Sequence, residues 1–510
     1  MGNQTKTLHI GNLSEPKELD PHIVTGLSEG NIIAALLEGL VSDSPTGGDP
    51  VPGVAQRWDI SPDQTVYTFH LRPEAKWSNG DPVCADDFVF SYRRILSPNL
   101  GSPYADMLHL LKNGKAYNEG TITDFDQVGV KALDAHTLQL TLEAPTPAFL
   151  ARLNHWSWFP VHPPTILAQG AIDQLGTSWT QPGRFVGNGP FVLATWKQNQ
   201  SIGVVKNSNY WDAANVQLNA IQFYPIYDHK IEERSFLAGQ LHITGTIPLE
   251  RVAHYQKTQP EQVRITPYLR SYYYLLNATK PPLNDPRVRK ALALAIDRTA
   301  IVKYVTRSGE EPAHSFTPPH IGSYTPPTIP SFDPAEAKRL LAEAGYPNGA
   351  GFPALSLLFH TSDLHTRIAE VIQQMWKDNL GIDIRLENVE WKVYQSRRKE
   401  RSFEIARAEW VADYVDPSSF LDIWQTGGGN NHVDWSSPDY DALIRTAGHT
   451  TDATQRMNCF RQAEEILLND LPIIPLIFLP SKSLVQPSVK GWNPSVLDRH
   501  PYKYVRLESP

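Results

Sequence analysis

Two hydrophobic periodicities alternate along the whole chain. Apolar and polar residues alternate at 67–71, 138–142 and 382–386, and this period of two predicts β-strands. Elsewhere apolar residues recur every three or four positions, which is typical of amphipathic helices. The consecutive tyrosines at 272–274 must point alternately to opposite faces, so that Tyr272 and Tyr274 face away from Tyr273. The interspersed patterns indicate an α/β fold.

Three of the predicted helices have recognisable ends. Asp333 followed by Pro334 predicts a capped helix that runs to Gly345, a residue suited to a helix C-terminus. Asp285, also followed by proline, opens a second helix, and a third begins near Ser362. The apolar face of the third helix comprises Leu364, Ile368, Val371, Ile372, Met375 and Trp376. These stripes predict core packing.

Size and charge narrow the possible functions. A chain of 510 residues corresponds to roughly two to four domains of about 150 residues each. The net charge of −8, without a basic run, argues against a nucleic-acid partner. No apolar stretch reaches the roughly 20 residues that a membrane helix needs. The two cysteines, Cys84 and Cys459, are expected to be free, buried thiols.

The segment 401–420 concentrates charged and aromatic side chains after a short apolar run. Residues 403–406 predict a strand that ends at Arg407, and Trp410 and Asp413 follow within a loop. Loops that a rigid strand holds often carry binding groups. One arginine and one aspartate a few residues apart suit the two ends of a zwitterion, whereas the plain alternative is a salt bridge at a strand end. The residues alone leave both interpretations open.

No arrangement of residues indicates catalysis. Residues 26–30 match the G-x-S-x-G pattern of serine hydrolases, but that motif requires a preceding strand, so Ser28 is expected to be a helix cap. His360 and His365, five positions apart, are not expected to share a metal ion from one helical turn. We therefore expect a protein that is not an enzyme and uses no metal or cofactor; a hydrolase using Ser28 is a remote alternative.

Several motifs resemble one known family. Residues 38–40 (EGL), 52–55 (PGVA), 67–72 (YTFHLR) and 76–80 (KWSNG) are similar to the signature of family 5 extracellular solute-binding proteins. Those proteins serve ABC importers of oligopeptides, dipeptides and nickel. The similarity covers nearly the whole chain and is strongest to the oligopeptide-binding branch, with the murein-tripeptide-binding branch similar.

The resemblance implies a particular architecture. The expected fold is the two-lobed periplasmic-binding-protein fold of class II, in its large three-domain form, which closes on its ligand by a hinge. Lobe I is expected to be discontinuous, at 1–38, 164–269 and 481–510. A small accessory domain at 39–163 is expected to pack on lobe I, and lobe II is expected at 270–480.

The resemblance also implies a function. The protein would capture short oligopeptides in a cleft between the lobes and deliver them to the permease subunits of an ABC transporter. Affinity would come from groups that all peptides share, namely the ammonium, the carboxylate and the backbone. A receptor specialised for one peptide-like ligand, such as a murein tripeptide or a modified peptide, is the alternative.

The resemblance and the start of the chain bear on location. The first residues have neither the basic nor the apolar region of a signal peptide, so that we expect a cytosolic protein or one whose signal peptide has been removed. The family implies the second, with a monomer in the periplasm. A lipid anchor at the outer face of the cytoplasmic membrane is the alternative.

The resemblance assigns ligand contacts residue by residue. Asp413 matches the position that binds the ligand's ammonium, and Arg407 and His365 match positions near its carboxylate. Leu27 would contribute its backbone. The walls around the extended peptide match Tyr104, Tyr273, Trp391, Arg398 and Trp410.

Some positions depart from the family pattern and bear on the choice of ligand. Glu409 stands where a close relative has glycine, so that its carboxylate would occupy part of the cleft, pair with Arg270 or Arg407, or repel an acidic ligand. Arg270 and Val411 replace a cysteine pair, and Thr306 replaces a lysine that meets the carboxylate of the shortest peptides. These changes suggest a narrower ligand set, such as a peptide with a basic residue or a modified peptide.

Overall fold

The computed structural model of the protein describes residues 2–45 and 49–508. The chain divides into two compact units. The first comprises Met1–Pro248, His254–Thr266 and Lys482–Pro510, and the second comprises Leu249–Ala253 and Pro267–Ser481. The boundaries of the lobes and of the accessory domain that the resemblance implies stay predictions.

The first unit contains two four-stranded sheets. One has the strand order Thr7–Gly11, Ala220–Tyr224, Ser201–Lys206 and Phe191–Lys197, with the first pair parallel and the others antiparallel. The other sheet is antiparallel, with the order Ala55–Ile60, Val66–Leu71, Thr137–Thr141 and Val130–Asp134. Buried and half-buried residues alternate along Val66–Leu71, which confirms the predicted period of two.

Shorter elements complete the part of the chain before residue 267 and after residue 480. The helices are Gly2–Thr5, Leu27–Leu36, Ala85–Ile95, Gly114–Asn118, Phe149–Arg152, Pro163–Leu167, His229–Leu237 and Val252–Thr258. The 3₁₀ turns are Ala105–Leu108, Phe125–Gln127, Trp156–Trp158, Ala213–Asn215, Leu249–Arg251 and Tyr502–Tyr504. The remaining strands are Val41–Ser42, Val51–Pro52, Val263–Thr266, Ser481–Leu484, Val489–Lys490 and Arg506–Leu507.

The second unit is built on a mixed six-stranded sheet. Its strand order is Glu311–Pro312, Ile473–Phe478, Arg270–Leu276, Ile405–Val411, Leu355–His360 and Ile384–Val389. The pairs among the first four strands are antiparallel and the last two pairs are parallel. The helices are Pro286–Leu294, Arg298–Ala300, Ile301–Thr306 (a π-helix), Pro334–Glu343, Asp363–Leu380, Trp391–Lys399, Ser418–Leu421, Pro438–His449 and Ala453–Asp470, with 3₁₀ turns at Pro347–Gly349 and Asp422–Trp424.

The helix ends predicted from the sequence are confirmed. The Asp333 carboxylate accepts a hydrogen bond of 3.0 Å from the backbone N–H of Glu336, and Asp285 caps the next predicted helix in the same way. Gly345 follows its helix with φ of +99°, a conformation that favours glycine. The apolar stripe of Asp363–Leu380 packs in the core of the second unit, as predicted.

Other expectations are met in part. Both cysteines are free, as expected, but Cys84 is only partly buried whereas Cys459 is buried. Among the residues that the structure describes, no helix is both long enough and apolar enough to cross a membrane.

Candidate functional site

A polar and aromatic cluster lies where parallel strands end in the second unit. Leu355–His360 runs parallel to Ile405–Val411 on one side and to Ile384–Val389 on the other, so that all three end at the same edge of the sheet. His360 ends its strand, and Trp391 opens the helix that follows the outermost strand. The carboxyl ends of parallel strands are the usual place for binding groups in α/β folds.

Two antiparallel strands carry many of the predicted contact residues. We call Arg270–Leu276 the tyrosine strand and Ile405–Val411 the arginine strand. Their register places Tyr272 opposite Glu409 and Tyr274 opposite Arg407. Because side chains alternate along a strand, these four lie on one face of the sheet.

The prediction that the strand ends at Arg407 is wrong. The arginine strand continues to Val411, because it pairs with the tyrosine strand along its whole length. Trp410 therefore lies within the strand, on the face opposite to Arg407, and only Asp413 and the residues after it lie in the loop. Arg407 and Glu409 interrupt the apolar run with charges, but they alternate with Ala408 and Trp410, as side chains do along a continuing strand.

The tyrosines alternate as predicted. The Tyr272 ring lies 5.6 Å from the His365 ring, whereas Tyr273 packs edge-on against Phe316 at 5.0 Å and Trp424 at 5.9 Å. Tyr273 is buried among these aromatic rings. The structure therefore does not bring Tyr273 together with His365.

Glu409 pairs with two arginines, and we call Arg270, Arg407 and Glu409 the Glu409 triad. One carboxylate oxygen accepts from Arg270 Nη2 at 2.5 Å and from Nε at 3.2 Å. The other oxygen forms an ion pair with Arg407 Nη2. The Arg407 guanidinium also lies over the Tyr272 ring, 4.9 Å from its centroid. Of the alternatives weighed for Glu409, the structure therefore shows pairing with both arginines.

Histidines and aromatic residues form the other side of the cluster. The His360 ring lies 4.6 Å from the His365 ring and 4.6 Å from the Trp391 ring. Tyr394 stacks on Trp391 at 5.6 Å, and the Arg398 guanidinium lies 5.7 Å from the Tyr394 ring. Trp391 remains 47% exposed.

His360 and His365 lie side by side without sharing one helical turn. His360 ends a strand whereas His365 lies in the first turn of the following helix. The spacing of five therefore spans a strand-to-helix turn, which folds the two rings together. Within 2–45 and 49–508, however, no group of three or more metal-ligating side chains occurs.

Both histidines are uncharged near neutral pH. Burial, with the nearby Arg407 charge, holds the pKa of His365 far below its usual range. The same causes lower the pKa of His360 to about 4. Burial also lowers the pKa of the Arg407 guanidinium, which nevertheless stays protonated. The positive charge of the cluster therefore comes from arginines alone.

The loop after the arginine strand is anchored by buried polar contacts. The Asp413 backbone N–H donates to Ser419 Oγ at 2.9 Å, and the Trp410 indole donates to the Ser419 carbonyl at 2.6 Å. Asp416 accepts two hydrogen bonds of 2.7 Å from the buried Arg456 guanidinium. Asp416 thus holds the loop that carries Asp413.

Two of the predicted contact residues lie in the first unit. Leu27 opens the helix Leu27–Leu36 and is 47% exposed. The Tyr104 ring packs edge-on against His155 at 4.6 Å and against Trp156 at 6.1 Å.

Ser28 has neither the position of a helix cap nor that of a hydrolase nucleophile. Gly26 is the cap residue, and Ser28 lies buried within the first helical turn, where its hydroxyl donates to Glu29 at 2.9 Å. The preceding strand ends at Gly11, so no strand leads into the serine.

Comparison with known proteins assigns the family. The pattern of bacterial extracellular solute-binding proteins, family 5, matches residues 49–432. This chain belongs to that family. It is 39% identical over 504 residues to the periplasmic oligopeptide-binding protein OppA of Salmonella typhimurium, covering 96% of this chain and 90% of the relative.

Solved structures agree with this family 5 assignment. The murein tripeptide binding protein MppA of Escherichia coli is 37% identical with a TM-score of 0.88, and 98% of each chain is covered. OppA of Haemophilus influenzae, solved in complex with the peptide RPPGFSPFR, is 33% identical with a TM-score of 0.87, and 99% of each chain is covered. The family and the large, two-lobed periplasmic-binding-protein fold inferred from the motifs are thereby confirmed.

Three residues of this candidate site could not be identified from the sequence. His360 was seen only as a possible metal ligand, and Tyr394 and Arg456 were not considered. Residue spacing carries no signal for them, because each meets its partner through packing between separate elements. A strand that ends in histidine next to a predicted helix start at Ser362 was the one available hint for His360.

Proposed function

We propose that this chain is the substrate-binding protein of an ABC importer and that its ligands are short peptides. The observation that carries the proposal is a set of buried nitrogens that have no hydrogen-bond partner among the described residues: Nδ1 of His360, Nε of Arg398 and Nε of Arg407. Buried polar groups are nearly always paired, so their concentration around Trp391 and Tyr394 suits a polar ligand. A peptide offers backbone and terminal groups that pair with them.

The ammonium and the rest of the peptide meet different chemistry in this proposal. Asp413 receives the ammonium in a charge-assisted hydrogen bond. The peptide then runs towards Arg407 and His365, where the neutral imidazole acts as a hydrogen-bond partner and not as a cation. In the second unit, Trp391, Arg398 and Trp410 contact the extended backbone. Tyr273 acts indirectly in this scheme, since it is buried against Phe316 and Trp424.

We further propose that the protein acts by binding alone. The buried hydroxyl of Ser28, bonded to its neighbour Glu29, favours a structural role. Export across the cytoplasmic membrane and delivery to permease subunits follow from the same assignment, in a periplasm or on a lipid anchor. Fractionation of cells that produce the protein from its natural gene distinguishes these two locations.

The first experiment identifies the natural ligand. The purified protein is denatured and the released small molecules are analysed by mass spectrometry. A ladder of mixed peptides of roughly three to five residues supports a general oligopeptide receptor. One dominant peptide-like species supports the specialised alternative.

A second experiment tests the role of Asp413. Calorimetry compares tri-alanine with its N-acetylated form on the wild type and on Asp413→Asn. N-acetylation removes the ammonium of the peptide, and Asp413→Asn removes the carboxylate of the protein. Each change is expected to weaken binding by at least about thirtyfold, because one buried charge is left without its partner. The matched control is Asp439→Asn, which removes an exposed carboxylate from the first turn of another helix of the same unit. Equal binding of both peptides to the wild type would overturn the assignment.

A further inference from the structure

The Glu409 triad places an anion of the protein itself against the arginine that would receive a ligand's carboxylate. The Glu409 side chain is 16% exposed and that of Arg407 only 6%, whereas that of Arg270 is 34% exposed. Of the three residues, Glu409 and Arg407 are thus nearly closed off from solvent. Ion pairs in such an environment are weakly screened by salt.

The charges of the triad do not favour a cationic ligand. Glu409 contributes one negative charge, which is held by two guanidinium groups, and the neighbouring histidines are neutral. The Arg398 guanidinium, 5.7 Å from the Tyr394 ring, adds a further positive charge. A lysine or arginine of the ligand would therefore meet a net positive cluster, which argues against the basic-residue preference suggested by the sequence.

We propose that Glu409 determines specificity by occupying the Arg407 guanidinium in place of a ligand carboxylate. This inference rests on the proposed peptide-binding function. A ligand carboxylate at this position would approach the Glu409 carboxylate, and like charges in close contact are strongly unfavourable. The ligands of this chain therefore present an uncharged group to the triad, such as an amide, a hydroxyl or the peptide backbone.

The position of this group along the ligand follows from strand geometry. Asp413 comes four residues after Glu409, which spans at most about 13 Å of extended chain. An extended peptide whose ammonium lies at Asp413 covers that distance in about four residues. The discriminating side chain is thus expected at the second to fourth residue of the peptide.

The test measures selectivity, which a purely structural ion pair would not change. Penta-alanine peptides carrying Glu, Gln or Lys at the second, third or fourth position are titrated against wild type and Glu409→Gln. At the position that faces the triad, Glu409→Gln is expected to raise the affinity for the Glu peptide relative to the Gln peptide by about tenfold or more. The Lys peptide is expected to bind the wild type no more tightly than it binds Glu409→Gln.

Glu387→Gln is the matched control. Glu387, in the outermost strand of the same sheet, also bridges two arginines, Arg385 of its own strand and Arg397 of the following helix, each at 2.8 Å, and its side chain is 20% exposed. Its substitution is expected to leave the Glu-to-Gln affinity ratio within about twofold of the wild type.

A second single variant, which removes a different charge, keeps the inference testable if Glu409→Gln does not fold. Arg270→Gln removes a cation and leaves Glu409 on Arg407, so the Glu peptide should lose affinity relative to the Gln peptide. If a folded variant still binds peptides but has the same Glu-to-Gln affinity ratio as the wild type, the inference is overturned and the proposed function stands. Failure of the wild type to bind any peptide would overturn the proposed function and this inference with it.

Discussion

At the scale of single residues, the candidate site is held together by partners that are distant in sequence. The hydroxyl of Tyr394 donates to the backbone carbonyl of Arg407, so that a helix residue fixes the arginine strand. Sequence alone could single out Arg407 and Asp413, because both lie in one unusual segment. It could not place His360 beside its histidine neighbour, since that contact depends on how a strand and a helix meet.

Removing the Tyr394 hydroxyl should destabilise the second unit. In Tyr394→Phe the Arg407 carbonyl loses a buried donor, so that the free energy of unfolding is expected to fall by about 1–3 kcal/mol. Urea denaturation followed by tryptophan fluorescence measures the change. Tyr304→Phe is the control, because Tyr304 is 58% exposed and its substitution should change stability by less than about 0.5 kcal/mol. Equal midpoints for the two variants would contradict the role of Tyr394.

At the scale of elements, the loop that carries Asp413 depends on a helix far along the chain. Asp416 joins this loop to Ala453–Asp470 through Arg456, and the side chains of both residues are at most 10% exposed. The sequence shows Asp416 as one more charge beside Asp413. The sequence does not indicate its structural role, because Asp416 and its partner Arg456 are 40 residues apart.

Breaking this buried pair should loosen the loop. Arg456→Gln leaves the Asp416 carboxylate buried without its cation, which is expected to cost about 3–5 kcal/mol of stability. Faster amide exchange at 412–421 and weaker peptide binding should accompany the loss, measured by hydrogen exchange with mass spectrometry and by calorimetry.

Arg461→Gln supplies the comparison within the same helix. Arg461 pairs with Glu465 at the surface, where both side chains are at least 40% exposed, so the expected loss is below about 1 kcal/mol. If both variants exchanged at the same rate in the loop, Arg456 would not be its anchor.

At the scale of the whole molecule, local patterns predict the class of fold but not its topology. Alternating and helical periodicities indicated an α/β protein, and the motif resemblance supplied the architecture. The order of strands in the second unit could not be predicted, because the tyrosine strand pairs with Ile473–Phe478 and with the arginine strand, both far along the chain. Such pairings depend on packing between distant segments and leave no local trace.

Buried histidines give the molecule a stability that depends on pH. His22 accepts a hydrogen bond from Arg94 at 2.9 Å through Nδ1, which requires the neutral ring with its proton on Nε2, facing the Phe159 carbonyl at 3.1 Å. Burial, followed by the Arg94 charge, lowers the pKa of His22 to about 4. Burial likewise lowers the pKa to about 4 at His242, His360 and His432.

The direction of the pH effect follows from these lowered values. Below about pH 6.5 these histidines are protonated in the unfolded chain but stay neutral in the folded protein. The free energy of unfolding therefore falls as the pH falls towards 4. His22 alone should account for about 2 kcal/mol of the loss between roughly pH 7.5 and pH 5. His22→Gln, which cannot titrate, should be less stable at pH 7.5 but lose less stability on acidification. Denaturant titrations at both pH values check this, with the exposed His449→Gln as control; a His22→Gln variant as acid-sensitive as the wild type would contradict the linkage.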